Sequence, residues 1–246
     1  MCKFYSAIVL KNGDILHNPW TMSHQDLIEE FNINDDNAFL KRFVKVEFYP
    51  DDNNEIDDPL KYNIHVDESE IPEWFKEIED RVKENMIEII RRMIIKNQTL
   101  KILTGKCIIL SNSSINKMLN VNCYFMKSSN VGEMRESSKI GEMWGSSKIG
   151  MMWGSSNVGV MGGSSKIGKM WGSSNVGVMR ESSNVGEMWG SSNVGEMGGS
   201  SKIGEMWGSS NVGEMRESSN VGEMWGSSNV GVMRESSKVN KDLRQK

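Results

Sequence analysis

The sequence predicts an α+β N-terminal domain followed by an all-β parallel β-solenoid with about 18 residues per coil. Three observations predict it: mixed helix and strand periodicities upstream, a nonapeptide recurring twelve times between Ser128 and Glu235, and an uneven split of Trp and Asn between alternate copies. With 246 residues, 37% of them hydrophobic, and a net charge of -4, the chain can bury a core.

Residues 1–104 read as a small domain with two helices on an antiparallel sheet. Phe4 to Leu10 and Ile15-Leu16 are apolar runs on either side of Asn12-Gly13, a pair that tolerates positive φ and predicts a two-residue hairpin. Ser23 is placed to cap a helix whose apolar positions include Leu27, Ile28 and Phe31. RFVKVEFY and YNIHV alternate as half-buried strands do. Pro72 then opens one long helix, with Phe75, Ile78, Val82, Met86, Ile89, Ile90 and Met93 along one face. Its acidic residues crowd the first turns and Arg91, Arg92 and Lys96 the last, as the helix dipole favours. From Thr99 the pattern turns strand-like, and residues 105–127 read as a transition with degenerate repeats such as SSINKML and NCYFMK.

From 128 to 235 the unit is Ser-Ser-(Asn/Lys)-(Val/Ile)-Gly-x-Met-(Trp/Arg/Gly)-(Gly/Glu). A flexible Ser/Gly linker has no reason to hold an aliphatic residue and a methionine at fixed phase. A glycine in every unit would cost a helix about 1 kcal/mol each time. Nine residues are too few to close a two-sheet coil, whereas two units close one, so the twelve units make six coils. Trp153, Trp171, Trp189, Trp207 and Trp225 all fall in odd units against Trp144 alone in an even one, and Asn157, Asn175, Asn193, Asn211 and Asn229 fall in even units against three Asn in odd ones, as two units per coil would place them on opposite sides. Block duplication of 164–199 onto 200–235 would give the same parity. Ser at the second position, Val/Ile at the fourth and Met at the seventh are expected to point inward, with a turn or bulge at Gly-x where glycine supplies unusual backbone angles. Residues 236–246 read as a charged C-terminal cap or tail.

The unit and its inferred coil resemble parallel β-rolls and pentapeptide-type solenoids. The whole layout, a small α/β domain followed by VGEMWGSS-like units, is similar to a group of uncharacterised repeat proteins from bacterial and phage genomes. Calcium-binding β-rolls carry an aspartate in each nonapeptide, and this repeat has none between Ser128 and Glu235, which argues against a hard cation. Resemblance to phage-borne repeat proteins implies a factor that binds and blocks a host protein.

No enzyme motif stands out. His17, His24 and His65 stand at no metal-ligand spacing, and HVDESE and PDDNNEIDD group carboxylates without a partner acid/base pattern. The sequence contains no P-loop, dinucleotide fingerprint or nucleophile elbow, and the repeat has no histidine to activate its serines. The expectation is a non-enzyme with no cofactor and no metal. Cys2, Cys107 and Cys123 form no CxxC pair and suit reduced thiols, and the start MCKFYSAIVL reads as neither a signal peptide nor a membrane span. A cytoplasmic location without a membrane partner is expected.

The variable slot after Met is the candidate binding position. Trp153, Trp171, Trp189, Trp207 and Trp225, with Arg180, Arg216 and Arg234, are residue types that anchor protein interfaces, so a protein partner or a second copy is expected. Arg in the slot is always followed by Glu, which predicts an ion pair between neighbours. Residues 128–235 carry 11 Glu against 9 Lys plus Arg, which argues against nucleic acid as a partner and also weakens a nucleic-acid-mimicking inhibitor. The other readings are an ice-binding rod, suggested by Ser-Ser in every unit, and an enzyme housed in residues 1–104.

Overall fold

The computed structural model describes residues 5–18, 21, 23–33, 42–50, 52 and 55–244; Cys2 and Phe4 lie outside them. The chain divides into two compact units, Met1–Met93 and Ile94–Lys246. In the first, β1 (Tyr5–Leu10), β2 (Ile15–His17), β3 (Phe43–Pro50) and β4 (Tyr62–Val66) form an antiparallel sheet in the order β2-β1-β3-β4. The β1–β2 connection closes on the pair Leu10 and Asp14, with three residues between them rather than the expected two. The Leu10 amide donates to the Asp14 carbonyl at 2.9 Å, and Gly13 takes the left-handed position with φ +90°. That is the three-residue loop with a terminal glycine, and it sets Val9 opposite Ile15.

Helix α1 (His24–Glu30) begins as the sequence predicts, with Ser23 Oγ accepting from the Asp26 amide at 3.2 Å. Leu27 and Ile28 bury against Ile8, while Phe31 ends the helix and is left exposed. The predicted long helix is two: α2 (Glu73–Lys76) and α3 (Glu79–Arg91). At Ile78 the amide bonds back only three residues, to Phe75, and the turn tightens before α3 starts. Neither Gly nor Pro marks the break, so the apolar periodicity runs straight through it. Phe75, Val82, Met86 and Ile90 are the side chains this segment buries.

The second unit is a parallel β-solenoid with coils of about 18 residues and about eight turns. It opens with β5 (Ile94–Lys96), β6 (Thr99–Ser111), β7 (Ser114–Lys127), β8 (Asn130–Arg135) and β9 (Lys139–Trp144). One strand per nonapeptide follows, from β10 (Lys148–Met152) to β20 (Lys238–Asp242). Each strand pairs in parallel with those 18 residues away, so Met170, Met188 and Met206 lie side by side. Alternate strands form two faces, and β7 joins them by pairing β8 with its first half and β9 with its second.

The solenoid is longer than the strict repeat at both ends. Its first coils are shorter: Thr99 lies opposite Ser114 and Ser114 opposite Asn130, spacings of 15 and 16, and the coil then grows through Asn122 opposite Lys139 to Asn130 opposite Lys148. These coils carry one long bent strand where later coils carry two short ones, so no nonapeptide period marks them. The sequence boundary at 104 therefore falls inside β6, and the transition at 105–127 is itself solenoid. At the other end, the expected cap or tail continues the ladder as β20, with Val239 opposite Val221.

The inward positions are those expected. From Val131 to Val221 and Met134 to Met224 the fourth and seventh residues form one continuous core, none more than 2% exposed. The second-position serines join them, and Ser147 shows what such a hydroxyl can reach: its Oγ donates to the Met126 carbonyl of the preceding coil at 3.0 Å and to the Trp144 carbonyl at 2.8 Å. The fifth-position glycine has a different cause from the expected unusual angle. Gly186 keeps φ out of the left-handed region, but a Cβ there would stand 2.5 Å from the Gly168 carbonyl oxygen of the preceding coil. Close stacking, not a special φ, demands glycine. Positive φ falls instead at the ninth position, at +68° for Gly190 and +55° for Glu181.

Gly186→Ala should therefore lower stability by about 1–3 kcal/mol. Gly198→Ala, whose Cβ would find only Glu217 Oε2 at 3.9 Å, should cost nothing measurable. Equal melting temperatures by circular dichroism would show that coils do not stack glycine on glycine. Met188→Asp, at a fully buried position, should cost several kcal/mol and unfold neighbouring coils, detected as a drop in melting temperature.

Candidate functional site

The slot after Met sits at the solenoid's corners, and the parity of the units sorts its occupants into two columns. Trp153, Trp171, Trp189, Trp207 and Trp225 form one, their amides donating to the seventh-position Met carbonyl of the preceding coil, as Trp189 does to Met170 at 2.9 Å. Their rings stack nearly parallel, with centroids 5.5, 5.0, 5.0 and 4.8 Å apart and interplanar angles of 10°, 6°, 4° and 1° along the column. That spacing is the inter-strand distance imposed on the rings by the backbone. Trp153 is 37% exposed at its open end and the others are half-buried. Leu243 follows Trp225 in the same register, its amide bonded to the Met224 carbonyl.

Sixth-position glutamates tie this column down. Glu187 accepts the indole N–H of Trp189 at 2.9 Å, Glu205 that of Trp207 at 2.8 Å and Glu223 that of Trp225 at 3.3 Å. Lys169 pairs with Glu187 at 3.0 Å and Lys241 with Glu223 at 2.7 Å. The Trp189 indole, and then Lys169, hold the Glu187 carboxyl below its ordinary value; Lys241, and then Trp225, do the same for Glu223. The outcome is a strip of apolar ring surface whose polar N–H groups in these three units are already spent, bordered by carboxylates.

Arg180, Arg216 and Arg234 belong to the other column, not to the tryptophan strip. That column begins with Trp144, whose ring lies where a side chain on Gly162 would stand, and whose N–H goes to Glu142 at 2.6 Å. The expected ion pair between Arg and the Glu that follows it does not form. Arg135 instead pairs with Glu133 at 2.7 Å, and Glu214 takes Arg216 at 2.8 Å and Arg234 at 2.6 Å. The reason is conformational. The following Glu occupies the left-handed ninth position, which turns its side chain to the neighbouring coil, where Glu181 accepts from the Gly163 amide at 2.6 Å and Glu235 from the Glu217 amide at 2.9 Å. Each such carboxylate offsets the strain of a non-glycine residue at positive φ by bonding a corner N–H. On the same face the asparagines hydrogen-bond along the rod, Asn193 to Asn175 at 2.9 Å and Asn211 to Asn193 at 3.0 Å.

The histidines are all in the first unit. His17 Nδ1 lies 2.7 Å from Tyr5 Oη, and burial pushes its pKa down. His65 is exposed on β4. His24 is buried, and the fold brings it, from α1, together with Glu47 of β3 and with Asp67 just after β4, residues whose spacing in sequence gave no signal. Cys107 and Cys123 are buried free thiols in register on adjacent coils.

These features define a parallel β-solenoid repeat protein carrying a tryptophan column on one corner. No family model, curated protein or solved structure matches the chain.

Because Glu187 and Glu223 have folded-state pKa values below the ordinary 4.5, the stability they contribute is present above that value and is lost as pH falls through the lower, folded one. Melting temperature followed by tryptophan fluorescence should fall as pH is lowered from 5 towards 3, and a Glu187→Gln/Glu223→Gln variant should show a shallower fall. An unchanged pH profile in that variant would remove these carboxylates from the column's support.

Proposed function

We propose that this chain is a non-enzymatic binding protein that presents the tryptophan column to a protein surface, in the cytoplasm, as a phage or mobile-element factor that blocks a host protein. The observation that carries this reading is the column itself: five stacked indoles in unbroken register, half-exposed, form a larger contiguous apolar strip than scattered surface residues do. The rings are held rigid before any partner arrives, so binding costs little side-chain entropy. The bordering Glu187, Glu205 and Glu223 favour a partner that brings Lys or Arg to the strip, where a cation can meet both carboxylate and ring. The same carboxylates repel nucleic acid. Among the described residues, no helix is long and apolar enough to cross a membrane.

A second copy is the alternative occupant. The strip itself favours it, because a flat column of parallel indoles is complementary to another of the same kind, as a two-fold contact requires.

Sedimentation of the wild type and of a Trp171→Ser/Trp189→Ser/Trp207→Ser variant tests both. A wild-type oligomer that the triple change dissociates assigns the strip to self-association. A wild-type monomer whose captured host proteins are lost in the triple variant assigns it to a foreign partner. A monomer that captures the same proteins with and without the three indoles would exclude the column as the binding surface.

A further inference from the structure

We propose that the first unit holds a divalent transition cation, with zinc the best fit, between His24, Glu47 and Asp67. One ligand atom from each of these residues lies within 4.8 Å of the others. His24 is the first residue of α1, Glu47 sits in β3, and Asp67 follows β4. The site exists because α1 packs on the sheet face that carries Ile8. Ile8 is opposite Lys45, and strand alternation puts Glu47 on that same face, away from the core side chains Val44, Val46 and Phe48. The helix thus covers a carboxylate, leaving Glu47 only 5% exposed. Its carboxylate lies within 4.8 Å of the His24 ring and of a second carboxylate, Asp67. An ionised group buried in this way requires a counter-charge.

The histidine geometry points to what supplies it. His24 Nε2 lies 3.0 Å from the Val46 carbonyl, an acceptor only, which fixes the proton on Nε2. In the neutral ring Nδ1 then turns a lone pair towards Asp67 Oδ2 at 3.4 Å. Two acceptors facing each other at that distance repel unless a cation lies between them. The separation is longer than the 2.7–2.9 Å or so of a charge-assisted hydrogen bond. It matches the edge of a tetrahedron whose metal bonds are about 2.0–2.1 Å, which is roughly 3.4 Å. A ring N–H held by a backbone carbonyl is also the usual support behind a metal-bound imidazole. The imidazole argues against magnesium and calcium, which take oxygen ligands, and the absence of thiolate from the trio argues against a copper(I) site. Asp67, with a side chain 57% exposed, places one edge of the site at the surface, where water or a partner's side chain completes the coordination. His65 lies directly across the strand pair from Glu47, on the same face.

The test is calorimetric titration of zinc into the chelator-treated full-length chain. One equivalent should bind per chain and raise the melting temperature. Asp67→Asn, at an exposed position, and Glu47→Gln should each weaken binding by at least about tenfold. Without metal, Asp67→Asn should melt as the wild type does, so that lost affinity is not lost folding. No heat and no rise in melting temperature would overturn the proposal. So would zinc uptake of equal affinity in Asp67→Asn and Glu47→Gln, which would place the metal elsewhere, for example on Cys107 and Cys123. Cobalt(II) distinguishes the two sources, since thiolate ligation adds a near-ultraviolet charge-transfer band that nitrogen and oxygen ligands do not.

Discussion

Every feature of the solenoid follows from one constraint: each coil must lie directly over the one before it, residue on equivalent residue. The contact that enforces this is the column of fifth-position glycines, where the carbonyl of one coil stands 2.5 Å from the place a Cβ would occupy on the next, as Gly168 does beneath Gly186. No other residue allows that approach without spreading the strands. With the backbones so close, the Val/Ile and Met ladders seal a narrow interior that no single coil could bury alone, and each coil gains its core only from its neighbours. Methionine suits this interior because its unbranched chain adapts to a gap set by the backbone rather than by side-chain fit.

The same constraint separates what is fixed from what is free. Positions two, four, five and seven answer to the core and to stacking, whereas the slot after Met projects at a corner and is held only by its backbone. It can therefore be Trp, Arg or Gly without disturbing the register. Once a residue type repeats there, the stacking distance is imposed on it, and five tryptophans become a parallel column whether or not their rings would choose that arrangement in isolation. The ninth position obeys a stricter rule, since its backbone is left-handed in every unit, and glutamate is accepted only where its carboxylate bonds the adjoining coil.

The first unit is organised differently. Its helix α1 covers a strand face that carries charge as well as apolar side chains, so Glu47 is buried by the position of the helix and not by its own strand's pattern. In the alternation of β3, Glu47 reads as a solvated residue between two core positions. Only the placement of His24 above it turns that reading into a buried carboxylate beside an imidazole.

The sequence by itself determined the two-part order of the chain, the hairpin and capped helix near its start, the inward residues of each nonapeptide and the pairing of units into coils. All of these rest on local periodicity, which the backbone geometry of a strand or helix converts directly into a face. The tertiary structure alone decided the rest. The solenoid begins at Ile94 because short coils stack as well as long ones, although they share no nine-residue period. Arg216 turns to Glu214 rather than to its neighbour Glu217 because a left-handed corner residue points its side chain at the preceding coil. His24, Glu47 and Asp67 meet although 23 and 20 residues separate them, because a helix and two strands must pack before any distance between their side chains is defined.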